Sequence, residues 1–285
     1  MKNDAVSVPA ALRRVLEENG PAVVAFSGGV DSTVLLAACR RVLGGEGVLA
    51  VTARDAIHAA ADDEEAARMA AALGVRRRIV TPSMLGVEQF TRNESDRCYV
   101  CRRRLNTLLW EVAAEEGMGA VLDGANADDS ADFRPGMRAA AEAGVRSPLA
   151  EAGIGKAEVR RLARRWGLRN WDRPSAPCLA TRIPYGTRIA EADLRRIERA
   201  EALLRDLGFH SVRVRHHGAV ARLEVPIDRI PDLVDESVRG RVVSSLLDLG
   251  WLYVTVDLAG LCSGSLNRLL DSSPAKAAGD EDCDV

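Results

Sequence analysis

Seven residues, Ser27-Gly28-Gly29-Val30-Asp31-Ser32-Thr33, constrain the fold of this chain more than any other feature. They follow Pro21-Ala22-Val23-Val24-Ala25-Phe26, a short apolar run bounded by turn residues, which reads as a buried strand. They lead into a helical stretch from Asp31 to Leu43 that Gly44-Gly45 stops. A strand that enters a helix through two glycines aims backbone N–H groups and the positive end of the helix dipole at one point, a cradle for an anion. Ser27, Ser32 and Thr33 add hydroxyl donors. The stretch is neither a Walker A motif nor a G-x-G-x-x-G fingerprint. A strand-to-helix turn capped by Asp31 would use the same residue types without binding anything.

The same alternation continues. Val48 to Thr52, Arg77 to Val80 and Ala120 to Leu122 read as strands, and Asp62 to Leu73 and Arg102 to Glu116 as helices. Strands alternating with helices predict an α/β fold, a doubly wound parallel sheet with crossover helices, over residues 1–172. The stretch Arg173-Pro174-Ser175-Ala176-Pro177-Cys178-Leu179 carries two prolines and no periodicity, and residues 173–189 read as a linker loop at a domain junction. Over 190–262 the order is helix, two strands around His216-His217-Gly218, helix, strand: a smaller α+β C-terminal domain. Residues 263–285 are rich in Ala, Ser and Asp and are expected to be disordered. A chain of 285 residues fits two domains at ~150 residues each.

Composition narrows the function. With 39 basic and 41 acidic residues the net charge is −2, which argues against a bulk polycation for nucleic acid. No apolar run reaches the ~18 residues of a membrane span. The N-terminus has no apolar signal region, so a cytoplasmic location is expected. In that reducing setting the six cysteines are buried, metal-bound or catalytic rather than paired.

Three further stretches carry chemistry. Asp123-Gly124-Ala125-Asn126-Ala127-Asp128-Asp129 ends the fourth predicted strand, where open α/β sheets bind ligands. Its carboxylates suit Mg²⁺ on phosphate oxygens, and Arg134 suits a phosphate or substrate contact. Cys98 and Cys101 form a C-x-x-C, too few ligands for a zinc site alone. Cys178 lies between Pro177 and Thr181-Arg182, and a nearby Arg182 would favour its thiolate. Arg213 and Arg215, at i and i+2 of a strand, share a face and can clamp a phosphate together. His216 and His217 read as turn residues without a role.

The loop at Ser27–Thr33 resembles the SGGxDS loop of the PP-loop ATPases. Arg97-Cys98-Tyr99-Val100-Cys101, Gly124 to Asp129, Asp132 to Gly136 and Ser175 to Gly186 are similar to the LarE sulfur transferases of that group, over Pro9 to Leu258. The resemblance implies a PP-loop ATPase domain in which Ser27, Gly28, Gly29, Asp31, Ser32 and Thr33 hold the pyrophosphate end of ATP. Gly124, Asp128 and Arg134 would complete the nucleotide site. It implies Mg²⁺, adenylation of the carboxylates of pyridinium-3,5-biscarboxylic acid mononucleotide, and replacement of an oxygen of each by sulfur for the nickel-pincer nucleotide cofactor. It also implies that Arg213 and Arg215 bind the substrate phosphate, and that Cys178, Arg182 and Glu201 are catalytic. Glu201, Glu224 and Asp232 would gather near the cysteine and could bind metal. Arg102 and Thr181 stand where the family often has Lys and Ser.

The resemblance leaves two sulfur routes open. Cys98, Cys101 and Cys178 could hold a 4Fe–4S cluster with one open iron for an external sulfur donor, the route the three cysteines favour. Alternatively Cys178 alone gives up its sulfur and becomes dehydroalanine. A homo-oligomer, possibly a hexamer in the family, is implied as well. Rival readings are a PP-loop tRNA thiolase, an amide synthetase, which would not need the cysteines, and a nucleotide-binding metal or redox sensor.

Overall fold

A computed structural model describes residues 7–131 and 135–262. Arg134 and the tail at 263–285 lie outside the described residues. In chain order the elements are α1 (Ala10–Asn19), β1 (Ala22–Ala25), α2 (Val30–Leu43), β2 (Val48–Ala53), α3 (Ala60–Ala72), β3 (Arg77–Val80), α4 (Glu88–Thr91), α5 (Arg97–Glu115), β4 (Ala120–Leu122), α6 (Pro135–Glu142), α7 (Pro148–Glu151), α8 (Lys156–Arg165), α9 (Glu191–Asp206), β5 (Arg213–His217), β6 (Val220–Glu224), α10 (Ile230–Val234), α11 (Glu236–Asp248) and β7 (Tyr253–Val256). Among the described residues no helix is long and apolar enough to cross a membrane.

The chain divides into two compact units, Met1–Met84 with Asp96–Ala176, and Leu85–Ser95 with Pro177–Val285. The first bears out the expected α/β architecture. Its sheet has the order β3-β2-β1-β4 with every pair parallel. Both faces are covered, so β1 needs no polar alternation. Ala22 and Val24 pack with Leu12 and Leu16 of α1, Val34 and Leu35 of α2, and Val159 and Leu162 of α8. Val23, between them, packs with Leu109 and Val112 of α5 and Ala140 of α6. Burying each such Leu or Val contributes about 1.5–3 kcal/mol. The sheet grows from β1 through β2 to β3 in one direction and to β4 in the other. The carboxyl ends of β1 and β4 therefore flank a topological switch point, where sheets of this kind open a ligand crevice.

The helix expected from Arg102 is α5 and starts at Arg97, so the C-x-x-C lies at its very beginning. The second unit reaches back to take Leu85–Ser95, and the stretch after Pro177, expected to be connecting loop, is part of it. That stretch contains a 3-10 turn over Leu179–Arg182. The unit's sheet has the order β5-β6-β7, with β5 and β6 antiparallel and β6 and β7 parallel. Its core joins Leu194, Ile197 and Leu204 of α9 to Val214, Ala221 and Leu223 of the sheet and to Trp251.

His216 corrects the reading of the hairpin. It is a strand residue, 5% exposed, and the turn is carried by Gly218 at φ 63°. Trp251 Nε1 donates to His216 Nδ1 at 3.1 Å, so the neutral ring carries its proton on Nε2, 3.6 Å from Asp193 Oδ1. Burial pulls the His216 pKa down; Asp193 acts against this and Arg196 with it. Burial lowers His58 and His217 too. The folded chain then binds fewer protons than the unfolded one just below the usual histidine pKa of ~6.5, so stability rises with pH there and is lost as pH falls through the folded values. The depressed carboxyls of Glu88, Glu151 and Asp235 act only at lower pH. The melting temperature should fall between pH 7.5 and 5.5, and less in His216→Gln, whose amide oxygen can still accept from Trp251. Equal falls in both proteins would remove His216 from the cause.

Candidate active site

The loop between β1 and α2 is shaped by contacts that leave no room for side chains. Gly28 has φ 75°, and a Cβ there would lie 2.8 Å from the Ala66 backbone nitrogen of α3. At the carboxyl end of β4, a Cβ on Gly124 would lie 2.8 Å from the Ser32 nitrogen and 3.0 Å from its Cα. Gly124 thus abuts the first turn of α2, where leading N–H groups without intrahelical acceptors can serve an anion.

Hydroxyls organise the loop from within. Ser27 Oγ and Ser32 Oγ are 3.2 Å apart, and Ser32 Oγ donates to the Gly29 carbonyl at 3.0 Å. Ser27 is exposed at the mouth of the loop. Thr33, also predicted to hold the nucleotide, is instead fully buried. Its Oγ1 donates to the Gly29 carbonyl at 2.8 Å and accepts from Asn170 Nδ2 at 2.9 Å, so it supports the loop from behind.

Sequence reasoning missed Asn170 and Lys156 here, and placed Asn126 in a motif without giving it a partner. Asn170, 3% exposed, donates to the Gly28 carbonyl at 2.9 Å as well as to Thr33. Its Oδ1 is buried with no hydrogen-bond partner among the described residues, beside a cleft of about 400 Å³ lined by Glu65, Arg68, Arg169, Asp172 and Arg173. Asn126 Nδ2 donates to Asp31 Oδ1 at 3.1 Å, and Lys156 Nζ pairs with Asp31 Oδ2. Lys156 is one of three lysines in an arginine-rich chain, and nothing in its local sequence announced this role. Asp128 accepts from the Lys156 backbone N–H at 2.7 Å and so anchors the start of α8. Asp31 and Asp128 thus both meet Lys156, one through its side chain and the other through its backbone.

Cys98 and Cys101, three residues apart in the first turn of α5, share one helix face; Cys98 is exposed and Cys101 half-buried. The neighbouring Arg102 pairs with Asp123 at the end of β4. Cys178 lies in the other unit, just before the 3-10 turn. Its carbonyl accepts from Thr181 N at 3.0 Å and Thr181 Oγ1 at 2.7 Å. Arg182 is buried. Its Nη1 donates to Pro177 O at 2.9 Å and to Thr181 Oγ1 at 2.9 Å, while Nε and Nη2 hold Glu201 at 2.7 and 3.1 Å. Arg182 and Glu201 therefore tie the cysteine loop to α9.

The three carboxylates expected to gather as metal ligands are each engaged by arginine. Glu201, 2% exposed, also pairs with Arg205 and accepts from Val214 N at 3.1 Å. Glu224, fully buried, takes Arg215 Nε and Nη2 at 2.9 and 2.8 Å and Arg222 at 3.1 Å. Asp232 pairs with Arg229. Buried carboxylates need such partners, and arginines from the 3-10 turn, α9 and the sheet provide them for Glu201 and Glu224. Among the described residues no three His, Cys, Asp or Glu side chains are grouped as a metal site.

Arg215 is likewise spoken for: besides Glu224 it donates to Thr181 O at 2.7 Å. Arg213 makes one hydrogen bond among the described residues, from Nη1 to Cys262 O at 3.0 Å. Burial, with Arg215 and Arg182 nearby, lowers its pKa to about 10 against the pull of Glu224 and Glu201, so it remains a desolvated cation at neutral pH.

A glycine-built anion cradle at the switch point of a parallel sheet, with its supporting amides and lysine, defines a PP-loop ATP-binding protein. The NAD synthase family pattern matches residues 7–106. An uncharacterised protein of Synechocystis is 41% identical over 91% of this chain and 96% of its own length. The pyridinium-3,5-bisthiocarboxylic acid mononucleotide synthase of Lactiplantibacillus plantarum is 38% identical over 92% of this chain and 94% of its own length. An uncharacterised protein of Methanocaldococcus jannaschii is 28% identical over 61% of this chain. The chain belongs to the family of that synthase, the LarE-type sulfur transferases.

The backbone contact at Gly124 makes a sharp prediction. Gly124→Ala should cut AMP formation roughly a hundredfold by pushing the first turn of α2 out of place. Gly119→Ala, where a Cβ meets nothing within 4 Å, should leave it unchanged. Normal AMP formation by Gly124→Ala would show that the loop tolerates a shift at this point.

Proposed function

We propose that the chain uses ATP to adenylate the carboxylates of pyridinium-3,5-biscarboxylic acid mononucleotide and replaces an oxygen of each with sulfur. The loop at Ser27–Thr33, closed by Gly28 and Gly124, carries the reading; the substrate class comes from the synthase relative. A carboxylate oxygen attacks the α-phosphorus of ATP, the bond to the β-phosphate bridge breaks, and pyrophosphate leaves. The N–H groups at the start of α2 stabilise the charge that builds on the leaving group. Mg²⁺ held near Asp31 and Asp128 would neutralise phosphate charge. A sulfur nucleophile then attacks the acyl carbon, and AMP departs with the former carboxylate oxygen. Arg213, with its spare donors, receives the phosphate of the mononucleotide, and Arg215 adds charge from behind.

For the sulfur we propose that Cys98, Cys101 and Cys178 carry a 4Fe–4S cluster. The two thiols on one face of α5 and a third in a braced loop support this. With three thiolate ligands, such a cluster leaves one iron open to an external sulfide. The chain itself brings the thiols, the arginine that braces the Cys178 loop, and the adenylation loop. The near-neutral charge disfavours a tRNA thiolase. We place the reaction in the cytoplasm, in a homo-oligomer.

The sulfur source is testable directly. Protein prepared and reconstituted without oxygen should contain iron and sulfide, and its intact mass should be unchanged after turnover. In the sacrificial route the Cys178 Cβ–S bond breaks by elimination and the sulfur leaves in the product. The protein would then be lighter by ~34 Da, with dehydroalanine at 178. That loss in iron-free protein would overturn the cluster and leave sulfur transfer standing.

A further inference from the structure

We propose that Asn93 is a positioning residue for Cys178: it clasps the chain that leaves the cysteine loop and holds the thiol in place for sulfur transfer. The proposal rests on the proposed role of Cys178, and its geometry lies wholly within the second unit.

Asn93 is fully buried. Its φ is 61°, in the left-handed region, where only Ser83 joins it among the described non-glycine residues. Asparagine tolerates this conformation better than most side chains, but a turn that needed only the backbone shape would be served by glycine. Here the amide is used. Nδ2 donates to Pro184 O at 2.8 Å and Thr187 O at 2.9 Å, with Ile183 O at 3.3 Å. The Asn93 carbonyl in turn accepts from Gly186 N at 3.0 Å. Neighbours extend the attachment: Ile189 N donates to Thr91 O at 2.8 Å, and Arg188 forks onto Glu88 at 2.8 and 2.6 Å. The stretch 88–93 therefore holds 183–189 along its length.

Between this clasp and Cys178 stand only the four residues of the 3-10 turn Leu179–Arg182. Arg182 fastens that turn to Glu201, and Thr181 fastens the Cys178 carbonyl. The loop is thus fixed on both sides of the cysteine, before it by the bond from Arg182 Nη1 to Pro177 O at 2.9 Å and beyond the turn by Asn93. Loss of the Asn93 amide frees the far end, and a short stiff turn passes that freedom to Cys178. An aspartate would keep the size and the left-handed backbone but set a carboxylate, with no N–H, against three carbonyl oxygens. The chain that leaves Asn93 runs through Glu94-Ser95-Asp96-Arg97 into Cys98, so the same residue begins the approach to the other cysteine motif.

The test compares wild type with Asn93→Asp and Asn93→Gly. Four readouts are taken: melting temperature, AMP formation, thiolated product per AMP, and the rate of iodoacetamide alkylation at Cys178 by peptide mass. In both variants AMP formation should stay within about twofold, while product per AMP falls roughly tenfold or more. The Cys178 alkylation rate should change severalfold in both. Wild-type values in Asn93→Gly would mean that the backbone shape, not the amide, matters, and would overturn the proposal. Parallel loss of AMP formation and product, or failure of both variants to fold, would make Asn93 a residue of the fold alone and overturn it too. Wild type that makes AMP but no thiolated product would instead overturn the proposed function. The alkylation rates would still decide for or against the clasp.

Discussion

Two glycines let three stretches of backbone meet at the start of α2. Gly28 lets α3 lie against the loop, and Gly124 lets the end of β4 lie against the first helical turn. Because both contacts are backbone on backbone, nothing flexible can give way if a side chain is added. The rest of the ATP-binding half depends on this closeness. Asn126 and Lys156 can reach Asp31 only because β4 ends at the switch point beside β1. Asn170 can support Gly28 and Thr33 only because the loop has turned tightly enough to present both acceptors together. The anion cradle is therefore a property of the sheet order as much as of the glycine-rich stretch.

The second unit is organised by a different force. Two buried carboxylates, Glu201 and Glu224, sit among Arg182, Arg215, Arg222 and Arg205. Removing one partner of a buried pair of this kind costs about 3–5 kcal/mol, because a charge is left without compensation. The cluster therefore fixes geometry strongly: through Arg182 it sets the cysteine loop against α9, and through Arg215 it ties the strand β5 to Thr181. It also leaves Arg213 as a cation with donors to spare. Glu201 and Glu224 are the counter-charges of that framework.

Local pattern carried much of this into view. The glycine-rich loop, β3 and β4 stand where the apolar runs and turn residues put them, because each is decided by a few adjacent residues. Helix α5 was read as starting five residues late. Its first turn, Arg97-Cys98-Tyr99-Val100-Cys101, has no apolar period to announce a helix, and the cysteines drew attention as a motif instead. Helix α8 passed unnoticed behind its arginines, although its buried face of Val159, Leu162 and Ala163 has helical spacing. The parts played by Asn93, Asn126, Lys156 and Asn170 were illegible for a stronger reason, even though Asn126 lies in a motif the sequence announces. Each acts through hydrogen bonds to segments roughly ninety or more positions away, and no local periodicity encodes such a partner. His216 was misread because a histidine pair before a glycine resembles a turn, while its true partner, Trp251, lies on the far side of the unit's sequence.

The central claim is that a substrate carboxylate is activated by AMP before sulfur replaces its oxygen. It is tested most directly by labelling the substrate carboxylates with oxygen-18 and analysing the products by mass. The account predicts that each AMP formed carries one labelled oxygen in its phosphate, that pyrophosphate carries none, and that the thiolated product has lost one label per sulfur gained. Unlabelled AMP alongside thiolated product would contradict it, because the carboxylate oxygen would then have left by a path that never passed through the α-phosphate.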